Sequence, residues 1–303
     1  MVYVQDIDGK PMMPTTRHGK VRRLLKANKA TVVNLCPFTI QLTYKSTDHK
    51  QPVTLGIDAG AKHIGFSATT EKEELFACET ILRTDIVDLL STRSQNRRTR
   101  RSRLRYRKPK FNNRVFSKKK GWVAPSVKQR IDSHLNEVNE IHKILPITKI
   151  VIEAAQFDTH KMKNPNISGI DYQNGEQLGF WNVREYVLFR DGHKCSYCKG
   201  KSKDLILNIH HIESRKTGGD SPSNLITLCE TCHKEYHKGN IDLKVRRGKS
   251  LCGAAIMGIM KWRLYDELKS RYSNVSMTFG YITKYNRIKY GIEKSHTSDA
   301  FVI

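Results

Sequence analysis

Apolar positions follow two periods along this chain, and the switches between them mark its elements. VTLGIDAGAKHIGFSAT, from Val53 to Thr69, reads as a buried strand ending at Asp58, a glycine-bearing turn and a second strand beginning near His63. The pattern predicts a β-hairpin. Between Ser126 and Leu145, the residues Val127, Ile131, Leu135, Val138, Ile141 and Leu145 recur at a helical period, and Pro146 stops the helix. ITKIVIEAAQF then supplies another strand, ending at Glu153. Asn164 to Glu176 is rich in Asn, Gly and other polar residues and reads as a linker into a cysteine-bearing module that ends near Gly239. Gly253 to Tyr272 is a predicted helix. The last segment, SMTFGYITKYNRIKYGIEKSHTSDAFVI, begins as a strand and ends with His296 and Asp299 opening a further helix.

A chain of 303 residues with 38% hydrophobic content can bury ordinary cores in two or three domains. It has no apolar run long enough to span a bilayer, and MVYVQDIDGK at its start lacks the core of a signal peptide. A soluble, cytoplasmic protein without membrane contact is expected. Four of the seven cysteines fall into two Cys-x-x-Cys pairs, which in such a chain hold metal more often than disulfides. Cys36, Cys78 and Cys252 are expected to be small core residues.

Charge changes the picture most. Lys and Arg number 54 against 29 Asp and Glu, a formal net charge of +25, which calls for a polyanionic partner, nucleic acid first. Arg93 to Lys120 alone holds 14 basic residues and no acidic one. Its densest part, RSQNRRTRRSRLRYRK, lacks Gly and Pro and can form a helix once phosphates neutralise its repulsion. Arg93, Arg97, Arg98, Arg100, Arg101, Arg103, Arg105, Arg107 and Lys108 are the candidate nucleic-acid contacts. A solvated tail or localisation-type run is the bland alternative, and the internal position argues against a tail.

Cys195-x-x-Cys198 and Cys229-x-x-Cys232 have the spacing with which two knuckles share one tetrahedral, structural Zn2+. A zinc ribbon that only binds nucleic acid would show the same cysteines. Between and beside them stand His210, His211, Asn224 and His233, with GGDSPSNL as the connecting turn. This order resembles the HNH, or ββα-metal, nuclease family. The resemblance implies that His210 and His233 hold Mg2+ or Mn2+, that His211 is the general base, and that Asn224 fixes the tautomer and orientation of that base. The division suits the chemistry: a neutral imidazole, with an ordinary pKa of about 6.5, accepts a proton while a metal neutralises developing phosphate charge. His237 is expected to be a surface or supporting histidine.

Asp58 in LGIDAG, Glu153 in IVIEAAQFD and Asp299 in KSHTSDA lie at strand or strand-to-helix boundaries, and each alone could be routine. Together they resemble a RuvC nuclease, an RNase H-like α/β fold in which carboxylates from separate segments converge on two metal ions roughly 4 Å apart. His296 projects from the same helical turn as Asp299. The resemblance gives it a catalytic role, as base.

The order of motifs is similar to that of IscB, the transposon-encoded RNA-guided nucleases related to the CRISPR type II effectors. PMMP at Pro11 to Pro14 matches the Pro-Leu-Met-Pro motif of that family's opening domain, so the resemblance covers nearly the whole chain. It implies a PLMP-like domain at 1–50, RuvC segments at 51–84, 123–172 and 241–303, an arginine-rich bridge helix at 85–122 that grips guide RNA, and an inserted HNH domain at 173–240. By the same resemblance, HNH cuts the guide-paired strand of a double-stranded DNA target and RuvC the displaced strand. Two departures appear. GIDAG replaces the family's GIDPG, and the chain stops where the family continues into a domain that contacts the guide and the target-adjacent motif. The residues from Asp299 onward make barely one helical turn, so a fragment is expected. Competing readings are an unguided HNH endonuclease of restriction or homing type and a noncatalytic RNA-binding remnant.

Overall fold

A computed structural model of the chain describes residues 1–47, 49–103, 121–154, 157–245 and 251–303, without the side chains of Ala154, Lys216, Thr217 and Cys252. They form two compact units: Met1–Phe157 with Ala255–Ile303, and Asp158–Ala254 inserted between those stretches.

The first unit opens with β1 (Val2–Gln5), β2 (Pro11–Thr15), α1 (His18–Lys26), β3 (Ala30–Leu35) and β4 (Phe38–Leu42), a four-stranded sheet in the order β2-β1-β4-β3 with Val21 of α1 in its small core. Cys36, in the tight β3–β4 connection outside the small core, is exposed, which corrects its expected burial. Cys78 packs against the main core, and the Cys252 side chain lies outside the described residues.

Next come β5 (Thr54–Ala59), β6 (His63–Thr69), β7 (Glu74–Ile81), α2 (Ile86–Ser102), α3 (Pro125–Ile144) and β8 (Lys149–Ala154). The inserted unit contributes α4 (Thr159–Lys163), α5 (Val183–Arg190), β9 (Leu207–His211), α6 (Arg215–Gly218), β10 (Leu225–Cys229) and α7 (Glu230–His237). The chain then runs through α8 (Cys252–Arg271), β11 (Val275–Phe279), α9 (Gly280–Lys289) and α10 (His296–Val302). The main sheet of the first unit has the order β11-β8-β5-β6-β7, with β5, β6 and β7 antiparallel and β5, β8 and β11 parallel.

Period-two alternation gives this sheet two faces. Leu55, Ile57, Ile64, Phe66, Ile150 and Ile152 join one core with Ile131, Leu135 and Val138 of α3 and Met260, Leu264 and Leu268 of α8. Each such buried aliphatic contributes on the order of 2 kcal/mol, enough together to hold sequence-distant segments in one sheet. The intervening positions Gly56, Asp58, Gly65 and Glu153 alternate with these core residues and face the other way. There α10 lies so close that a Cβ at Gly56 would run into the Ala300 carbonyl, and one at Gly65 into the His296 carbonyl.

Pro125 in the first turn and extended Leu145 before Pro146 bound α3. At the other end of the chain α10 begins at His296, three residues ahead of Asp299, because the Ser295 side chain caps it by accepting the Ser298 N–H. This capped helix, begun ahead of Asp299 and seated on the glycines, packs against β5 and β6. The sequence reading also contains no α9, whose Gly280 start and Tyr, Thr and Asn content have little helical propensity.

In the inserted unit, the stretch read as a linker is built in. Gly169–Tyr172 forms a 3-10 turn, Ile167 is buried, and Tyr172 donates to the Asp158 carboxylate. Among the described residues, no helix is long and apolar enough to cross a membrane.

Candidate active sites

β9 and β10 form an antiparallel ribbon in which His210 lies opposite Ile226 and His211 opposite Leu225. Alternation along β9 sends the two histidines to opposite sides. The His210 ring is buried, 5.2 Å from the ring of His233 and 5.3 Å from that of His237. His233 and His237 stand one turn apart on α7 with their Nε2 atoms 3.3 Å apart. Burial, and then the neighbouring imidazoles, push the His210 pKa down to about 4, so its ring is neutral at physiological pH. Its buried Nε2 has no hydrogen-bond partner among the described residues. One nitrogen from each of the three rings lies within 4.8 Å of the others, a donor set that fits a divalent ion. His237, expected only as support, is therefore a third candidate ligand.

His211 faces the loop before β10. Its Nε2 is 3.0 Å from Asp220 Oδ1, and Arg215 holds the other oxygen of the same carboxylate at 2.8 Å. Hydrogen bonds from His211 and then Arg215 keep the Asp220 pKa below the usual carboxylate range. The Asn224 side chain, expected to fix the tautomer and orientation of His211, is bonded to the backbone of the loop that follows that residue. Its buried amide donates to the carbonyls of Glu213 and Gly219 and accepts the Glu213 N–H, closing the loop that carries Asp220. A short polar side chain in GGDSPSNL could have pointed to Asp220, but the loop offers several such residues at similar spacing.

The four Sγ atoms of Cys195, Cys198, Cys229 and Cys232 lie within 4.8 Å of one another, with Cys195, Cys229 and Cys232 buried. Although burial opposes it, hydrogen bonds from the Ser202 hydroxyl and backbone amides bring the Cys198 thiol down to about 6. Burial and the adjacent sulfurs push Cys232 up. Four sulfurs so crowded fit a tetrahedral Zn2+.

In the first unit, Asp58 near the end of β5, Glu153 near the end of β8 and Asp299 in the first turn of α10 converge. Burial raises the Glu153 pKa, and the charges of Asp58 and Asp299 raise it further against the pull of Lys261. Asp299 is raised by burial and by Asp58. Neighbouring carboxylates that raise one another's pKa in this way are candidate cation ligands. His296 Nδ1 lies 2.6 Å from Asp58 Oδ2, so the sheet brings all four expected residues together. Four further residues surround them that no motif announces. Lys261, 4% exposed, places Nζ 3.8 Å from Glu153. Arg287 pairs with Asp299 at 3.0 Å. His63 stacks on His296 with ring centroids 5.4 Å apart and bonds Glu79 at 2.7 Å.

Arg93, Arg97, Arg98, Arg100 and Arg103 are exposed and Arg101 is partly exposed, on or next to α2, a helix with no buried residue and no acid after Asp88. Arg105, Arg107 and Lys108 lie outside the described residues.

Residues 2–175 match the RRXRR protein family, and the pattern in that name is written here as Arg97-Arg98-Thr99-Arg100-Arg101. The chain belongs to the RRXRR protein family. Residues 195–239 of this RRXRR protein match the HNH endonuclease family. It is similar to anaredoxin of Nostoc sp. (strain PCC 7120 / SAG 25.82 / UTEX 2576), 34% identical over 66 residues that make up 22% of this chain and 84% of that protein. Among solved structures it is similar to Streptococcus thermophilus Cas9 in complex with the AGAA PAM, at TM-score 0.40 and 14% identity, over 60% of this chain and 26% of that one. It is also similar to the Type II-C Cas9 enzyme from Actinomyces naeslundii, at TM-score 0.33 and 12% identity, over 84% of this chain and 59% of that one.

Proposed function

We propose that this RRXRR protein is an RNA-guided DNA endonuclease with two metal-dependent centres, an HNH centre around His211 and a RuvC-like centre around Asp58. One observation carries the reading: Asp58, Glu153 and Asp299, from β5, β8 and α10, meet on one face of a sheet with three antiparallel and two parallel strands. That sheet order supports an RNase H-like fold, and its carboxylates are useless as a core but apt as cation ligands.

Mg2+ or Mn2+ would be held by His210, His233 and His237 in the HNH centre and by the three carboxylates in the other, polarising phosphoryl oxygens and stabilising the leaving oxygen. Zn2+ on the four cysteines is structural. Asp220 accepts from His211 Nε2, which fixes the proton there and leaves Nδ1 as the nitrogen that takes a proton from the attacking water. Asp58 holds His296 Nδ1 in the same way and leaves its Nε2 to move a proton. The guanidinium row of α2 binds the guide backbone as point charges, and base pairing supplies specificity. HNH cuts the guide-paired strand and the RuvC-like centre cuts the displaced one.

Protein purified with the structured RNA that accompanies it should cut a guide-matched duplex in Mg2+ and spare a mismatched one. Equal cleavage of both would sink guidance and leave an unguided HNH endonuclease. No metal-dependent cleavage of either would leave an RNA-binding remnant.

A further inference from the structure

The two faces of α9 have different chemistry. The inner face belongs to the carboxylate centre. A Cβ at Gly280, which opens the helix, would come 3.0 Å from Glu153 Oε1, and Arg287 one side further on pairs with Asp299. The outer face carries Tyr281, Lys284, Tyr285, Ile288 and Lys289, all exposed, followed by Tyr290. Tyr281 is 72% exposed and Tyr285 66%. Tyr281 also stacks with Phe279 just ahead of the helix, ring centroids 6.1 Å apart and 10° from parallel.

A row of exposed rings is costly for a soluble surface unless something covers it. Tyr281 and Tyr285 are one turn apart and therefore share a face, with Lys284 and Lys289, five residues apart, on either flank of it. From Val275 to Lys294 the only acid is Glu293, against Lys284, Arg287, Lys289 and Lys294. The complementary ligand is anionic along its length and offers flat apolar rings, which a base-paired duplex keeps stacked inside.

We propose that the outer face of α9, from Phe279 to Lys289, is a track that leads single-stranded DNA to the carboxylate centre. Bases stack on Tyr281 and Tyr285, and phosphates lie on Lys284 and Lys289. The proposal rests on the nuclease reading above and names the substrate path of one of its two centres.

The test uses the full chain and an oligothymidylate carrying 5-iodouracil, irradiated without divalent metal and mapped by peptide mass spectrometry. Cross-links are expected at Tyr281 or Tyr285. Replacing both with Ala should weaken oligothymidylate binding about tenfold or more, replacing both with Phe should preserve it, and the circular dichroism spectrum should not change. Cross-links confined to other segments, unchanged affinity in the Ala variant, or tighter binding of duplex or of oligouridylate by this face would overturn the track. The nuclease reading fails separately: Mg2+-dependent cleavage of the single strand that persists with Asp58→Ala and His211→Ala combined contradicts the two centres whatever the tyrosines do. Cleavage that depends on Asp58 but ignores the tyrosines contradicts only the track.

Discussion

The two candidate centres are built in opposite ways. The metal-facing histidines of the HNH centre come from one short stretch, His210 to His237, on a ribbon and a helix tied down by a cysteine cluster. The carboxylate centre draws Asp58, Glu153, Lys261, Arg287 and Asp299 from β5, β8, α8, α9 and α10, elements spread far along the sequence, of which β5, β8 and α8 share one packed core. A local site can rely on a metal for its fold, whereas a distributed one must rely on apolar burial and on close backbone approach.

That contrast is most easily broken at the cysteines. Chelating Zn2+, or Cys229→Ser, should remove a metal contribution on the order of 10 kcal/mol and unfold the HNH ribbon while the sheet of the first unit stays protected. Hydrogen exchange resolved by peptide measures both at once, and equal loss of protection in the two units would erase the distinction.

The reciprocal perturbation is Gly65→Ala. Its new Cβ has no room against the His296 carbonyl, so α10 must lift from β6 at a cost of about 2–4 kcal/mol. Thermal unfolding should report the loss, and cleavage dependent on Asp58 should fall while cleavage dependent on His211 survives.

A smaller effect comes from pH. His134 of α3 is fully buried, and burial lowers its pKa to about 4 despite its hydrogen bond to the Arg130 carbonyl. The unfolded chain takes up a proton below about 6.5 that the folded state refuses until about 4. Stability of the first unit should therefore be unaffected by this group above that window and decline as pH falls through it, by up to about 3 kcal/mol. Urea unfolding across the window should show a shallower slope in His134→Leu, and an identical slope would contradict the assignment.

The smallest expected change separates Asp220 from Asn224. Asp220→Ala should slow HNH cleavage about tenfold without changing stability. Asn224→Ala should cost about 1–3 kcal/mol by opening its loop.

What was legible in the sequence follows the same contrast. The cysteine pairs stood out by their spacing alone, His210 and His233 through resemblance to the HNH family, and His237, whose ring the structure sets beside theirs, was read only as support. Asp58, Glu153 and Asp299 were readable only through motif resemblance, since no local pattern says that β5 and β8 will be parallel neighbours. Lys261 and Arg287 were invisible, because each sits in a helical stretch where a cation is ordinary until the fold aims it at an acid. α9 was missed for a related reason: its residues have weak helical propensity, and the helix forms where Thr283, Asn286 and Arg287 find an inner face to occupy. Asn224 was placed at the right loop but given the contact that Asp220 makes.

Strand-resolved nicking of an end-labelled duplex, with guide bound, tests most directly whether the molecule holds two independent centres. Asp58→Ala is expected to cut only the guide-paired strand and His211→Ala only the displaced strand. Loss of both cuts in either variant would contradict two independent centres.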